Sequence, residues 1–250
     1  DLIYGLPHQT PESFAETVEK IIDISPDRIA VFNYAHVPWL KKHQNLIKAE
    51  DLPSAEDRLQ ILGATIERLT QSGYQYIGMD HFAKKTDELA AAQNNGTLYR
   101  NFQGYSTKAG CDVYAFGISA ISQFKNIYAQ NVKNIHDYYA RIDAGRAATQ
   151  VGYRMTEDDH IRKETIMQLM CHLTVGKHMV EESFNINFDD YFAADLPKLE
   201  GFIEDGLVSI NRDSIDVIGR GKLIIRNIAM CFDAYLDKMT AEKPVFSKTV

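Results

Sequence analysis

Hydrophobic positions in the first third of the chain follow two alternating rhythms. Phe14, Val18, Ile21 and Ile22 recur at helical spacing and predict an amphipathic helix over residues 11–23. Thr10 stands as its N-cap with Pro11 at the first helical position, and Ser25-Pro26 breaks it. Ahead of that helix, Leu2-Ile3-Tyr4 before a Gly-x-Pro turn reads as a strand. Behind it, "RIAVFNY" (Arg28 to Tyr34) reads as a largely buried strand. Ser54 and Asp57 form a capping box that opens a second helix. Leu59, Leu62, Ile66 and Leu69 mark its inner face, and Gly73 closes it. "YQYIGMDHF" (Tyr74 to Phe82) is the next predicted strand. Strands alternating with helices predict a parallel α/β sheet or part of a barrel, with right-handed crossovers.

The pattern then loosens. A short helix is expected from Thr86, and "CDVYAFGISAISQF" reads as a strand with Gly117 as a bulge or close-approach point. A helix follows from Val132 to Ile142. The polar, glycine-containing "DAGRAATQVGY" marks a boundary between residues 1–150 and 151–250. In the second part, Ile161, Ile166, Leu169 and Met170 mark a helix, and "DYFAADLPKLEGFIEDGLV" suggests another that stops at Gly206. "LVSINRDSIDVI" is a hairpin turning at Asn211–Ser214, and "GRGKLIIRNIAMCFDAYL" a final helix. Helices followed by a hairpin predict a mainly helical, winged-helix-like module. Because residue 1 falls inside a strand–loop–helix unit, the chain is expected to be the later part of a longer protein.

Composition narrows the function classes. The 250 residues, 45% hydrophobic and 24% charged, can bury one large or two modest cores. No apolar run approaches the roughly 18 residues of a membrane span, and no signal peptide is visible. A net charge of −7 disfavours nucleic-acid and anionic-membrane surfaces. Residues 151–250 carry 12 Lys and Arg against 17 Asp and Glu, a net of −5, which opposes a DNA-binding winged helix. Cys111, Cys171 and Cys231 are isolated and odd in number, with no C-x-x-C. They are read as buried thiols in a reducing, cytoplasmic setting.

In α/β sheets and barrels, ligands gather at the carboxyl ends of strands. Those ends supply Asp1, then Asn33-Tyr34-Ala35-His36, then Met79-Asp80-His81-Phe82. His36 and His81 suit substrate contact or proton transfer, whereas a metal would need a third ligand and a spacing the chain lacks. Asp80 and His81 are neighbours on a predicted strand, so a dyad between them is not expected. "RNFQGY" offers Arg100 for a carboxylate, with Asn101 and Gln103 as amides, though composition alone fits a solvated loop. "GISAIS" lacks the final glycine of a nucleophile elbow.

The strings "DLIYGLPHQTPESFAETV", "PDRIAVFNYAHVPW", "LTQSGYQYIGMDHFAKKTDELA" and "RNFQGYSTKAGCDVYAFGISAIS" resemble the oxygen-independent coproporphyrinogen III oxidases, radical S-adenosylmethionine enzymes of haem synthesis. "LIIRNIAMCFDAYL" resembles that family's C-terminal helix, and the likeness runs over essentially the whole chain. It implies the C-terminal part of a partial (β/α)6 barrel followed by the winged-helix-like module. The cluster motif C-x-x-x-C-x-x-C and a glycine-rich methionine-binding segment precede this region in the family. The implied reaction converts two propionates of coproporphyrinogen III to vinyls. A reduced [4Fe-4S] cluster cleaves S-adenosylmethionine, and the resulting radical takes a hydrogen from the propionate β-carbon. Carried across position by position, the S-adenosylmethionine contacts fall on Asp1, Ala35 and Ile121. His36, His81, Arg100, Asn101 and Gln103 are the candidates for the propionates, with Tyr34 and Phe82 as apolar walls. The implied partners are the porphyrinogen and an electron donor and acceptor, and the protein is expected to be a monomer. A non-catalytic tetrapyrrole carrier is the alternative.

Overall fold

In a computed structural model of the chain, which describes residues 1–236, strands β1 (Leu2–Tyr4) and β2 (Arg28–Asn33) lie parallel. They are joined by helix α1 (Pro11–Ile24). Thr10 Oγ1 accepts from the Ser13 amide while Ser13 Oγ accepts from the Thr10 amide, satisfying two donors that the helix start would otherwise orphan. Gln9 closes the preceding turn, its Oε1 accepting from the amides of Gly5 (2.6 Å) and Leu6 (3.3 Å). Helix α2 (Ala55–Gln71), capped by Ser54 and Asp57, packs beside α1. Phe14, Val18, Ile61, Leu62 and Leu69 from the two helices bury against Tyr4, Ile29, Val31 and Phe82 of the sheet.

The run Tyr74 to Phe82 is two strands rather than one. β3 (Tyr74–Gly78) and β4 (His81–Lys84) form an antiparallel pair, and β4 lies between β2 and β3, giving the order β1-β2-β4-β3. The chain reverses at Gly78 (φ +151°) and Met79 (φ +52°), and Tyr76 Oη donates to the Met79 carbonyl at 2.7 Å. The sheet is therefore mixed, with β3 parallel to β2 across an intervening strand.

Helix α3 (Glu88–Asn94) is capped by Asp87, and β5 (Tyr99–Asn101) pairs with β6 (Gly104–Ser106) in a tight hairpin. The expected strand at 111–124 is mostly loop. Tyr114 and Phe116 stand in solvent, and only β7 (Ile121–Phe124) joins β8 (Ile127–Asn131) and β9 (Thr149–Arg154) in a three-stranded sheet. Gly117 sits in that loop, its amide donating to Tyr138 Oη and its carbonyl accepting from Asn131 Nδ2. Helix α4 (Ile135–Asp143) connects β8 to β9, so the expected boundary near residue 150 falls within β9.

The rest builds one core. Helix α5 (Glu157–His172), β10 (Thr174–Gly176), α6 (Lys177–Phe184), α7 (Phe188–Tyr191), α8 (Glu200–Glu204), β11 (Val208–Ile210), β12 (Ser214–Val217) and α9 (Ile225–Met230) follow in order. Helices enclose the antiparallel sheet β10-β12-β11, a layout of the winged-helix kind. Phe192 is the centre, with ring centroids 4.7 Å from Phe188 and 5.2 Å from Phe232. Two expected helices are shorter than predicted. Pro197 divides residues 190–208 into α7, a 3-10 turn at 196–199 and α8, and a 3-10 turn at 219–224 precedes α9. No helix among the described residues is long and apolar enough to cross a membrane.

Candidate functional site

The four-stranded sheet has one closed face and one partly open face. Ile29, Val31 and Phe82 point to α1 and α2, so Phe82, only 1% exposed, is core and cannot wall a ligand site. On the opposite face, the paired residues Ile3 and Phe32 remain 47% and 36% exposed, and His81 pairs with Ala30 beside them. Phe32 packs edge-on against the His81 ring at 6.1 Å. On this face it is Phe32, not Phe82, that reaches the surface.

His81 is held at one nitrogen. Its Nδ1 lies 2.6 Å from Asp80 Oδ1, with both side chains mostly buried. The dyad that strand alternation argues against therefore exists. Asp80 belongs to the turn after Met79 and escapes the alternation of facing that governs a strand. A carboxylate only accepts, so the proton in the pair sits on Nδ1 when the imidazole is neutral. On its other side the ring meets Tyr105 edge-on at 5.4 Å.

Tyr105 links His81 to Arg100. The Arg100 guanidinium lies 5.7 Å over the Tyr105 ring, and Arg100 and Tyr105 are partners across the β5–β6 hairpin. Arg100 Nε is buried without a hydrogen-bond partner. A buried donor of this kind is costly unless something accepts from it. Tyr105 Oη donates to the Met170 carbonyl of α5 at 2.9 Å, joining the hairpin to the helical module. Burial first, opposed by Arg100, pushes the Tyr105 phenol up, so it stays a protonated donor. Arg100 and Asn101 line a cavity of about 590 Å³ with Phe102, Lys163, Met167 and Met170. The "RNFQGY" segment is thus a packed hairpin instead of a solvated loop.

A second cavity, of about 260 Å³, lies at the carboxyl end of β2, between the sheet and α9. Tyr4, Phe32, Asn33, Ala35, Asp80 and residues 223–227 line it. Asn33 Oδ1 is buried there without a partner. Burial pushes the Tyr4 hydroxyl up to about 12, against the opposing pull of Arg58. The loop after β2 is braced by Gln44, whose Nε2 donates to the Ala35 carbonyl at 3.0 Å and whose Oε1 accepts from the Val37 amide at 2.7 Å. Asp80 belongs to both places, lining this cavity and holding His81.

The remaining candidates are dispersed. Asp1 precedes β1 and is exposed, and it is Tyr4, three residues on, that stands beside Asn33. Ile121 lies on β7 in a different sheet, and neither residue lines the cavity that Ala35 lines. His36 sits against the Tyr34 ring at 6.1 Å, its Nδ1 buried and unpartnered. Gln103 is at the exposed tip of the hairpin, its amide donating to Asn101 Oδ1 at 2.8 Å. Cys171 and Cys231 are buried as expected, with burial pushing the Cys171 thiol up to about 12, but Cys111 is exposed. Tyr105, Asp80 and Gln44 are the contributors that sequence reasoning missed. Only Asp80 carried a signal, through its position beside His81.

Residues 155–224 match the family model described as the HemN C-terminal domain. The chain is 49% identical over 250 residues to the oxygen-independent coproporphyrinogen III oxidase of Salmonella typhimurium, and covers 54% of it. With the enzyme of the same name from Thermostichus vulcanus it shares 47% identity over 251 residues, taking in all of this chain and 77% of that protein. This chain belongs to the oxygen-independent coproporphyrinogen III oxidase family. The fold agrees. The solved coproporphyrinogen III oxidase (HemN) of Escherichia coli, described as a radical SAM enzyme, superposes with a TM-score of 0.90 over 94% of this chain and 54% of that one, at 49% identity. The chain thus spans about half the length of most of the curated relatives it matches.

A radical SAM enzyme uses S-adenosylmethionine with an iron–sulfur cluster. The cavity beside Ala35 suits part of the first, because Asn33 Oδ1 is an orphaned buried acceptor and Asp80 a carboxylate in a mainly apolar lining. The described residues do not suit the second. The three cysteines are scattered, and among the described residues no group of three His, Cys, Asp or Glu side chains could hold a metal ion.

Proposed function

We propose that the protein to which this chain contributes carries out the oxidative decarboxylation of coproporphyrinogen III to protoporphyrinogen IX. What supports the reading is 47% identity across all of this chain to an enzyme of that name, of which the chain covers 77%. Each of two propionates loses a hydrogen from its β-carbon and carbon dioxide from its end, leaving a vinyl group. Two electrons leave with each, one with the hydrogen atom and one to an acceptor. S-adenosylmethionine and the cluster, when bound, supply the radical chemistry that removes the hydrogen.

The tasks left to this chain are to bind, to orient and to exclude water. Arg100 and His81 are the proposed propionate partners, because a guanidinium can hold a carboxylate at two points and an imidazole can donate to one. His36, Asn101 and Gln103 are proposed as further polar contacts. Asp1, Ala35 and Ile121 are proposed to touch S-adenosylmethionine. The protein is read as a cytoplasmic monomer whose partners include an electron donor and an electron acceptor.

The experiment is anaerobic conversion by the full-length, cluster-reconstituted protein, followed by porphyrin chromatography and trapping of released carbon dioxide. Two equivalents of carbon dioxide per protoporphyrinogen are expected. Tetrapyrrole binding without any release of carbon dioxide would replace this reading with a carrier.

A further inference from the structure

We propose that Asp80 is a positioning residue for His81. By accepting from Nδ1, it aims Nε2 at a carboxylate of the substrate bound on the open face of the sheet. This rests on the reading above, which supplies the carboxylate.

Three observations converge on the imidazole. The first is the 2.6 Å contact from Nδ1 to Asp80 Oδ1, made from a turn that is itself fixed by Tyr76 donating to the Met79 carbonyl. The second is packing. Phe32 and Tyr105 both meet the ring edge-on, so its plane is set from two further elements. The third is the space at the other nitrogen. A Cβ on Gly104 would come within 3.2 Å of Nε2, and Gly104 (φ +120°) has none. Nε2 makes no hydrogen bond within the described residues, and the side chain keeps 23% exposure beside Phe32.

A ring clamped at one nitrogen and open at the other is arranged to meet a ligand. The carboxylate behind it settles which nitrogen carries the proton in the neutral ring and fixes the ring's orientation. A proton shared between Nε2 and a substrate carboxylate closes the hydrogen bond on the open side, and Asp80 accepts from Nδ1 on the far side of the ring. Without Asp80 the ring could take either tautomer and rotate about its bond to Cβ, which weakens binding without touching the chemistry of bond cleavage.

The test uses the full-length reconstituted enzyme with Asp80→Asn, His81→Gln and the double variant. Each single substitution is expected to raise the KM for coproporphyrinogen ten- to a hundredfold with kcat little changed. The double variant is expected to be no worse than His81→Gln alone, because Asp80 acts through His81. In parallel, 15N-histidine spectra of the cluster-free full-length protein should show His81 protonated at Nδ1, and a mixture of tautomers in Asp80→Asn. Should that variant fail to fold, Asp80→Ser carries the same comparison. The proposal is overturned if KM stays within twofold of wild type, if the two effects multiply, or if the tautomer is unchanged. If the wild-type enzyme converts no coproporphyrinogen, the functional reading has failed instead, and the tautomer measurement still decides the role of Asp80.

Discussion

Replacing Gly78 with alanine probes the turn on which the site depends. Its φ of +151° is a backbone conformation that side chains disfavour, at a cost on the order of 1–3 kcal/mol. The new methyl would also overlap the Tyr105 hydroxyl and approach Cζ at 3.0 Å. Overpacking of that kind costs about 1–3 kcal/mol. If Tyr105 yields instead, its 2.9 Å bond to the Met170 carbonyl is lost, at about 1 kcal/mol. Strain plus overpacking gives roughly 2–6 kcal/mol, and strain plus the lost hydrogen bond roughly 2–4 kcal/mol. Gly73→Ala is the control, since Gly73 has φ +93° with nothing within 4 Å of a Cβ, leaving only about 1–2 kcal/mol of backbone cost. Urea unfolding of the full chain, read as the midpoint at constant slope, measures both. The sharper result comes from Tyr105→Phe. Removing the hydroxyl should cost less in the Gly78→Ala background than in the parent, because it also relieves the overlap. Equal costs in both backgrounds, or a Gly78 variant no weaker than the Gly73 one, would refute the reasoning.

Three further expectations follow from other residues. In the full-length enzyme, Arg100→Ala should remove a charge-assisted contact worth about 1.5–3 kcal/mol, raising the KM for coproporphyrinogen roughly ten- to a hundredfold. Uncoupled cleavage of S-adenosylmethionine should persist, and its loss with an unchanged KM would move Arg100 to the cofactor side. Burial works against the Asp159 carboxylate, but hydrogen bonds led by Tyr235, with the Thr156 amide and Tyr153, hold its pKa at about 2 against an ordinary 3.8. A depressed pKa contributes stability that is complete above 3.8 and lost as pH falls through 2. Melting temperatures should therefore drop across that interval, and the drop should shrink in Asp159→Asn. Finally, anaerobic reconstitution of these 250 residues should leave no stoichiometric cluster, and four irons with four sulfides per chain would contradict that.

What could be read from the sequence was local. Thr10, Pro11 and the Ser54–Asp57 pair announce helix starts because capping chemistry is satisfied within a few residues. The hairpin of residues 208–217 is legible for the same reason. The reversal at residues 78–80 was hidden, because a left-handed Met79 carries no turn signal and Gly78 looks like a strand interior. That single miss turned a mixed sheet into a parallel one, placed the buried Phe82 rather than Phe32 on the open face, and set Asp80 apart from His81. The apolar run 111–124 misled for a different reason. Strand propensity is realised only where a partner strand exists, and just Ile121–Phe124 finds one in full. His81 and Arg100 were recognisable by residue type, but their meeting through Tyr105 depends on a hairpin docking against a helix far along the chain.

The side chain of Met79, at the reversal between β3 and β4, packs against the core of the C-terminal module. The turn that carries Asp80 and His81 is therefore anchored in a neighbouring unit that supplies neither residue. Such an anchor ties the placement of the imidazole to the packing of the C-terminal module. Recombination that exchanged the module for a differently packed one would leave every polar site residue in place and still shift the imidazole. The geometry of this candidate site accordingly depends on apolar contacts at the seam between modules as much as on the polar residues themselves.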